Sequence, residues 1–149
     1  MRSVSPYRAP ANSAILLVDD NRDGNLARRS VLEELGYKVV PAASGSEALE
    51  LLDRERFDLV ITDYRMLPVD GVELIKTLRE RGFTRPVILL TGFAQNLGLH
   101  PETTGADVVI QKSSNEIVTL IRHIKRLVNA PRKPAASQTK RSSSRAQSK

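Results

Sequence analysis

The sequence predicts an open, doubly wound α/β sandwich, and three observations carry that reading. Five short apolar runs recur along the chain, most lack the in/out alternation of a half-exposed strand, and the stretches between them have helical spacing. The runs are AILLV (14–18), YKVV (37–40), DLVIT (58–62), PVILL (86–90) and DVVIQ (107–111). Strands buried on both faces belong to a parallel sheet covered by helices. Strict strand-helix alternation with right-handed crossovers then leaves the doubly wound sandwich as the architecture.

Each intervening stretch carries its own start or stop signal. Ala27, Val31 and Leu35 stand four apart and end at Gly36, which predicts the inward stripe of a first helix. Ser44-x-x-Glu47 is a capping box ahead of Ala48, Leu51 and Leu52. Val72, Ile75 and Leu78 follow Asp70 and stop at Gly82. The fourth stretch, 93–104, contains Gly98 and Pro101 with little apolar periodicity, so its helix is predicted to be short or irregular. The last is the clearest: Ser113-x-x-Glu116 reads as its cap, and Ile117, Leu120, Ile121, Ile124, Leu127 and Val128 form one stripe.

Composition limits what such a fold could do. With 149 residues, 40% hydrophobic and 27% charged, the chain suits one globular domain. It has no Cys, which excludes a disulfide framework, a thiolate zinc site and a cysteine nucleophile. Its two His, His100 and His123, are too far apart in sequence to make a metal site alone. The apolar run 14–18 leads straight into Asp19 and Asp20, unlike a signal peptide or membrane span, so a cytoplasmic location is predicted. Residues 1–13 read as a flexible N-terminal arm, 14–130 as the folded domain and 131–149 as a basic disordered tail. The tail holds enough of the basic residues to account for the net charge of +6, leaving the rest balanced. It has no aromatic side chain for base stacking, so it reads as a solvated extension; electrostatic attachment to nucleic acid is its functional alternative.

In doubly wound sheets, ligands bind beyond the carboxyl ends of the strands. The residues predicted there are Asp19 and Asp20 after the first strand, Asp63 after the third, Thr91 after the fourth and Lys112 after the fifth. Taken singly, the acids are ordinary capping or turn residues; five polar residues at successive strand ends point to a site. Clustered carboxylates repel unless something positive compensates, and oxygen ligands suit Mg²⁺, which is usually completed by phosphate oxygens. Lys112 can pair with a phosphoryl oxygen, Thr91 can donate to another, and Gly92 leaves room for the group. Asp63, on the central strand, is the best-placed nucleophile.

These pieces resemble the receiver domain of two-component response regulators. The likeness spans roughly residues 14–130 and is carried by ILLVDDN (15–21), DLVITDYRMLPVDG (58–71), VILLTG (87–92) and the run TGADVVIQK ending at Lys112. It implies a flavodoxin-like sheet of order 2-1-3-4-5, with Asp63 as phosphoacceptor and Asp20 as direct Mg²⁺ ligand. Asp19 is then an acid acting through metal-bound water, and the Arg65 backbone carbonyl a further ligand. Thr91 becomes the switch hydroxyl, beside Gly92, and Lys112 the phosphate-binding lysine. The implied phosphodonor is a histidine kinase or histidine phosphotransfer protein, and the implied output is docking to a downstream protein by a single-domain receiver, monomeric or weakly homodimeric.

Three places depart from the family pattern. Proline stands one position late, in Asp63-Tyr-Arg-Met66-Leu67-Pro68. Ser113 replaces the proline usual after the lysine, so a trans bond or a local adjustment is predicted there. Val109 occupies the position of the switch aromatic, which is absent. Two alternatives therefore stand beside the phosphorylation switch: an adaptor that signals independently of phosphorylation, and a receiver tethered to nucleic acid by its tail. A haloacid-dehalogenase-like phosphatase would need an aspartate where Arg65 stands, so the chain is read as a switch and not an enzyme.

Overall fold

A computed structural model describes residues 9–10, 12–92 and 98–129. The strands are β1 (Ala14–Val18), β2 (Lys38–Ala42), β3 (Leu59–Asp63), β4 (Val87–Thr91) and β5 (Val108–Gln111). The helices are α1 (Arg22–Glu34), α2 (Gly45–Arg54), α3 (Gly71–Glu80), α4 (Pro101–Thr104) and α5 (Glu116–Asn129). All strand pairs are parallel, in the order β2-β1-β3-β4-β5. The predicted sandwich and strand order are therefore observed.

The missing alternation in the apolar runs has a direct cause. Leu16, Val18, Val60, Val87 and Leu89 face one core with Leu51, Leu74 and Leu78 of α2 and α3. Their neighbours Ile15, Leu17, Leu59, Ile61, Ile88 and Leu90 face a second core with Leu32, Leu120 and Ile124 of α1 and α5. Both faces are dry, so both residue sets must be apolar. β2 lies at the sheet edge, where Pro41 is exposed and costs little.

Two predicted helix features need correction. The buried face of α1 is Asn25, Arg28 and Leu32, while Ala27 is exposed and Val31 and Leu35 are only half-buried. Polar groups win that face because β1 and the residue after it supply partners: Asn25 Nδ2 donates to the Leu17 carbonyl at 3.0 Å and Arg28 Nη1 to Asp19 Oδ2 at 2.7 Å. At α5, the Ser113 hydroxyl accepts from the Asn115 amide at 3.2 Å, but the Glu116 carboxylate turns to Arg28 at 2.6 Å and makes no reciprocal cap. The other signals are observed in part. Ser44 Oγ accepts from the Glu47 amide while the Glu47 carboxylate reaches the amide of Ala43 instead of Ser44, and Asp70 with Glu73 forms a complete capping box. α4 has four residues, short as predicted, and 93–97 before it lie outside the described residues. Most of the proposed arm and all of the proposed 131–149 tail lie outside them too, although Ala9 donates to Leu35 O at 2.9 Å and Ser13 is buried.

The amino edge of the sheet is closed by ion pairs. Asp58 accepts from the Ala14 amide and pairs with Arg85 at 3.1 Å; Asp107 accepts from the Val87 amide and pairs with Arg79 at 3.0 Å. These acids register strands and leave the carboxyl edge for chemistry.

The β3-α3 loop is closed where Gly71 donates its amide to the Tyr64 carbonyl at 2.8 Å. A Cβ on Gly71 would collide with the Asp63 carbonyl oxygen and stand 2.8 Å from Leu89 Cδ1, so the glycine is sterically required. Within that loop the Leu67–Pro68 bond is cis, and among the described residues no other is, which leaves Lys112–Ser113 trans as predicted. Gly71→Ala should destabilise the protein by about 1–3 kcal/mol, the usual cost of overpacking, as read from urea unfolding; unchanged stability would contradict this account of the loop.

Candidate functional site

The site residues are positioned by hydrogen bonds that continue the sheet ladder. The Asp19 amide donates to Ala42 O at 3.0 Å, Tyr64 to Leu90 O at 2.8 Å and Lys112 to Thr91 O at 2.8 Å. Asp63 is the last residue of β3, in register with Leu90, and Thr91 the last of β4, opposite Gln111. Both were predicted just beyond their strands; the ladder reaches one residue further and makes their backbones part of the sheet.

A cavity of about 300 Å³ opens above these strand ends. Asp19, Asp20, Asp63, Arg65, Thr91, Gly92 and Lys112 all line it, together with Asn21 and Tyr64. Val109 does not; it packs half-buried against the core on the α2-α3 side. Neither His100 nor His123 contributes. Gly92 lines the cavity, and among the described residues a Cβ there would meet nothing within 4 Å.

The carboxylates differ in their surroundings. Asp20 is exposed. Asp19 is 3% exposed; its Oδ1 accepts from the Asn21 amide at 2.9 Å, steering the chain into α1, and its Oδ2 takes the Arg28 bond at 2.7 Å. Asp63 is 5% exposed, and its Oδ1 forms an ion pair with Lys112 Nζ while accepting no other bond among the described residues. Burial pushes the Asp63 carboxyl above the usual carboxylate range; Lys112 opposes the shift, Asp19 adds to it, and Arg28 opposes it.

Arg28 is the residue that sequence reasoning missed. Burial disfavours its charge, but hydrogen bonds to Glu116 and Asp19 outweigh that and raise its pKa above the ordinary value, so it is a fixed cation. The positive charge that the acid cluster called for is thus partly built in, as Arg28 for Asp19 and Lys112 for Asp63. Asn25, Arg28 and Leu32 fall on one helical face, but apolar spacing gives no sign that its two polar members turn inward.

The residues present fit a hard divalent cation in donor chemistry. Asp63 Oδ1 is a buried oxygen that, among the described residues, has the lysine as its one partner, and Asp20 offers an exposed carboxylate to the same cavity. Among the described residues no group of three or more His, Cys, Asp or Glu side chains is gathered where it could hold a metal ion.

Comparison with known proteins decides the family. The model of the response regulator receiver domain matches residues 15–125. The chain belongs to the response regulator receiver family. This receiver is 39% identical over 118 residues to the transcriptional regulatory protein CpxR of Escherichia coli, covering 75% of this chain and 49% of that protein. It spans about half the length of the curated transcriptional regulators it matches, and far less of the sensor proteins. Among solved structures it is similar to the signal receiver domain of a signal transduction histidine kinase from Syntrophus aciditrophicus, with a TM-score of 0.74 and 33% identity over 82% of this chain and 94% of that one. It is also similar to the response regulator TrrA of Thermotoga maritima in complex with Mg²⁺-BeF, with a TM-score of 0.70 and 30% identity over 77% and 98%. The receiver is thus a module of two-component signalling, and no described helix is long and apolar enough to cross a membrane.

The raised Asp63 pKa sets the sign of a pH effect. The native state holds the Asp63 proton more tightly than the unfolded chain, whose value is near 3.8, so ionised Asp63 costs stability once pH exceeds the native value. In Mg²⁺-free buffer Asp63→Asn should therefore unfold at higher urea than the parent at pH 7, with the gain fading on acidification and gone below about 3.8. A gain that did not vary with pH would contradict the burial argument.

Proposed function

We propose that this receiver accepts a phosphoryl group on Asp63 from the phosphohistidine of a histidine kinase or phosphotransfer protein. The P–N bond of the donor breaks as an Asp63 oxygen bonds to phosphorus, and the imidazole leaves the donor's phosphoryl group behind. The observation that carries this reading is the buried Asp63 carboxylate at the cavity floor with Lys112 as its partner and Thr91 and Gly92 beside it. Transfer is onto the protein's own side chain, so no separate substrate is turned over.

Mg²⁺, when bound, supplies charge neutralisation for the incoming phosphoryl oxygens. Asp20, Asp63 and the Arg65 carbonyl would hold it, with Asp19 as a further acid. Lys112 gives up its hold on Asp63 and pairs with a phosphoryl oxygen, while the Thr91 hydroxyl donates to another. That redistribution biases a two-state equilibrium around the pocket's strand ends, which a downstream protein reads. The magnesium and fluoroberyllate complex of TrrA, at 30% identity, supports the assignment.

A second reading, a phosphorylation-independent adaptor, draws support from the internal cations: Arg28 and Lys112 already satisfy the buried acids, and Val109 replaces the aromatic. Partner binding unaffected by Asp63→Asn would favour it.

Incubation with a small phosphodonor and Mg²⁺ should give a base-labile mass increase that Asp63→Asn and chelation abolish and Lys112→Ala diminishes. The same adduct in Asp63→Asn would overturn the assignment. Mg²⁺ at about 100 times its dissociation constant should also stabilise the fold by roughly 2.7 kcal/mol in thermal or urea unfolding, because it binds only the native arrangement.

A further inference from the structure

Two buried carboxylates stand at the carboxyl edge, and each is tied to the same short stretch of chain. Asp63 is held by Lys112. Asp19 is held by Arg28, whose Nε donates to Glu116 Oε2 at 2.6 Å while its Nη1 donates to Asp19 Oδ2 at 2.7 Å. Lys112 and Glu116 are the two ends of the connection from β5 into α5, so residues 112–116 are clamped to the pocket at both ends. The Arg28 bridge is enclosed: side-chain exposure is 8% for Arg28, 2% for Asp19 and 13% for Glu116. It joins residues 88 positions apart in sequence, and Glu116 takes part in it at the expense of capping its own helix.

A guanidinium shared by two carboxylates cannot favour both equally once the charge near one of them changes. A cation in the pocket competes with Arg28 for Asp19 and repels it, shifting its bonding toward Glu116. We propose that Arg28 is a positioning residue that couples the pocket to the start of α5, opposing cation binding at Asp19 and passing occupancy of the pocket to Glu116. This inference rests on the Mg²⁺ reading of the pocket given above. Coupling of this kind is reciprocal, so whatever changes the hold of Arg28 on Glu116 must change cation affinity as well.

The two partners of the bridge give opposite signs. Glu116→Gln leaves Arg28 to Asp19 alone, so Mg²⁺ should bind more weakly; Arg28→Met frees Asp19, so Mg²⁺ should bind more tightly. Each change should be about five-fold or more, the lower end of ordinary coupling between sites. The experiment is calorimetric titration of the full chain with Mg²⁺ alone, together with amide chemical shifts of residues 113–119. In the parent, Mg²⁺ should move those shifts; in both variants the movement should be lost while shifts around Asp20 still respond. Glu116→Gln keeps the Arg28–Asp19 pair and so carries the test if Arg28→Met does not fold. Affinities within about two-fold of the parent, or an unchanged α5 response in Glu116→Gln, overturn the coupling and leave the phosphoacceptor reading intact. No Mg²⁺ binding by the parent overturns the metal reading and the coupling with it.

Discussion

The structure depends on keeping two carboxylates buried side by side at the ends of β1 and β3. Neither Asp19 nor Asp63 would be tolerated there as an isolated anion, since removing a charge from water is expensive unless a partner repays the loss. Arg28 and Lys112 are those partners, and they differ in kind. The guanidinium of Arg28 is planar, enclosed and hydrogen-bonded on two sides, so it acts as a fixed part of the core. Lys112 is a third exposed on a flexible stem, so its ammonium can leave Asp63 without unfolding anything.

That difference divides the pocket into a fixed half and an exchangeable half. Asp19 is oriented by the Asn21 amide and Arg28, while among the described residues Asp63 Oδ1 has the lysine as its partner and Asp20 is exposed. Under the phosphoacceptor proposal this asymmetry has a use: Asp63 can exchange its partner while Asp19 stays fixed. The sheet supplies the rest of the order, because the ladder bonds of Asp19, Tyr64 and Lys112 hold the backbone of each site residue to a neighbouring strand.

The same chemistry serves a different end on the opposite edge. Asp58 and Asp107 also sit at strand termini, yet each accepts a strand amide and an arginine, and each aligns a chain start. Acid at a strand end is therefore not by itself a functional sign. What separates the two edges is the open cavity and a buried carboxylate oxygen that, among the described residues, pairs with a partly exposed lysine.

Much of this was legible in one dimension. The five strands, the sandwich, the short fourth helix and the convergence of Asp19, Asp20, Asp63, Thr91 and Lys112 follow from local patterns, since burial on both faces and strand-end position are written in short runs. The inward face of α1 was not legible, because apolar spacing selects Ala27, Val31 and Leu35 and gives no credit to a polar side chain that finds a partner. Nor was the fate of Glu116, whose cap motif is locally complete but loses to Arg28 from 88 positions away. Sequence alone determined which residues share the edge; only tertiary structure decided which charges neutralise which, because a charged side chain chooses its partner by distance and burial in space, and neither is encoded in spacing along the chain.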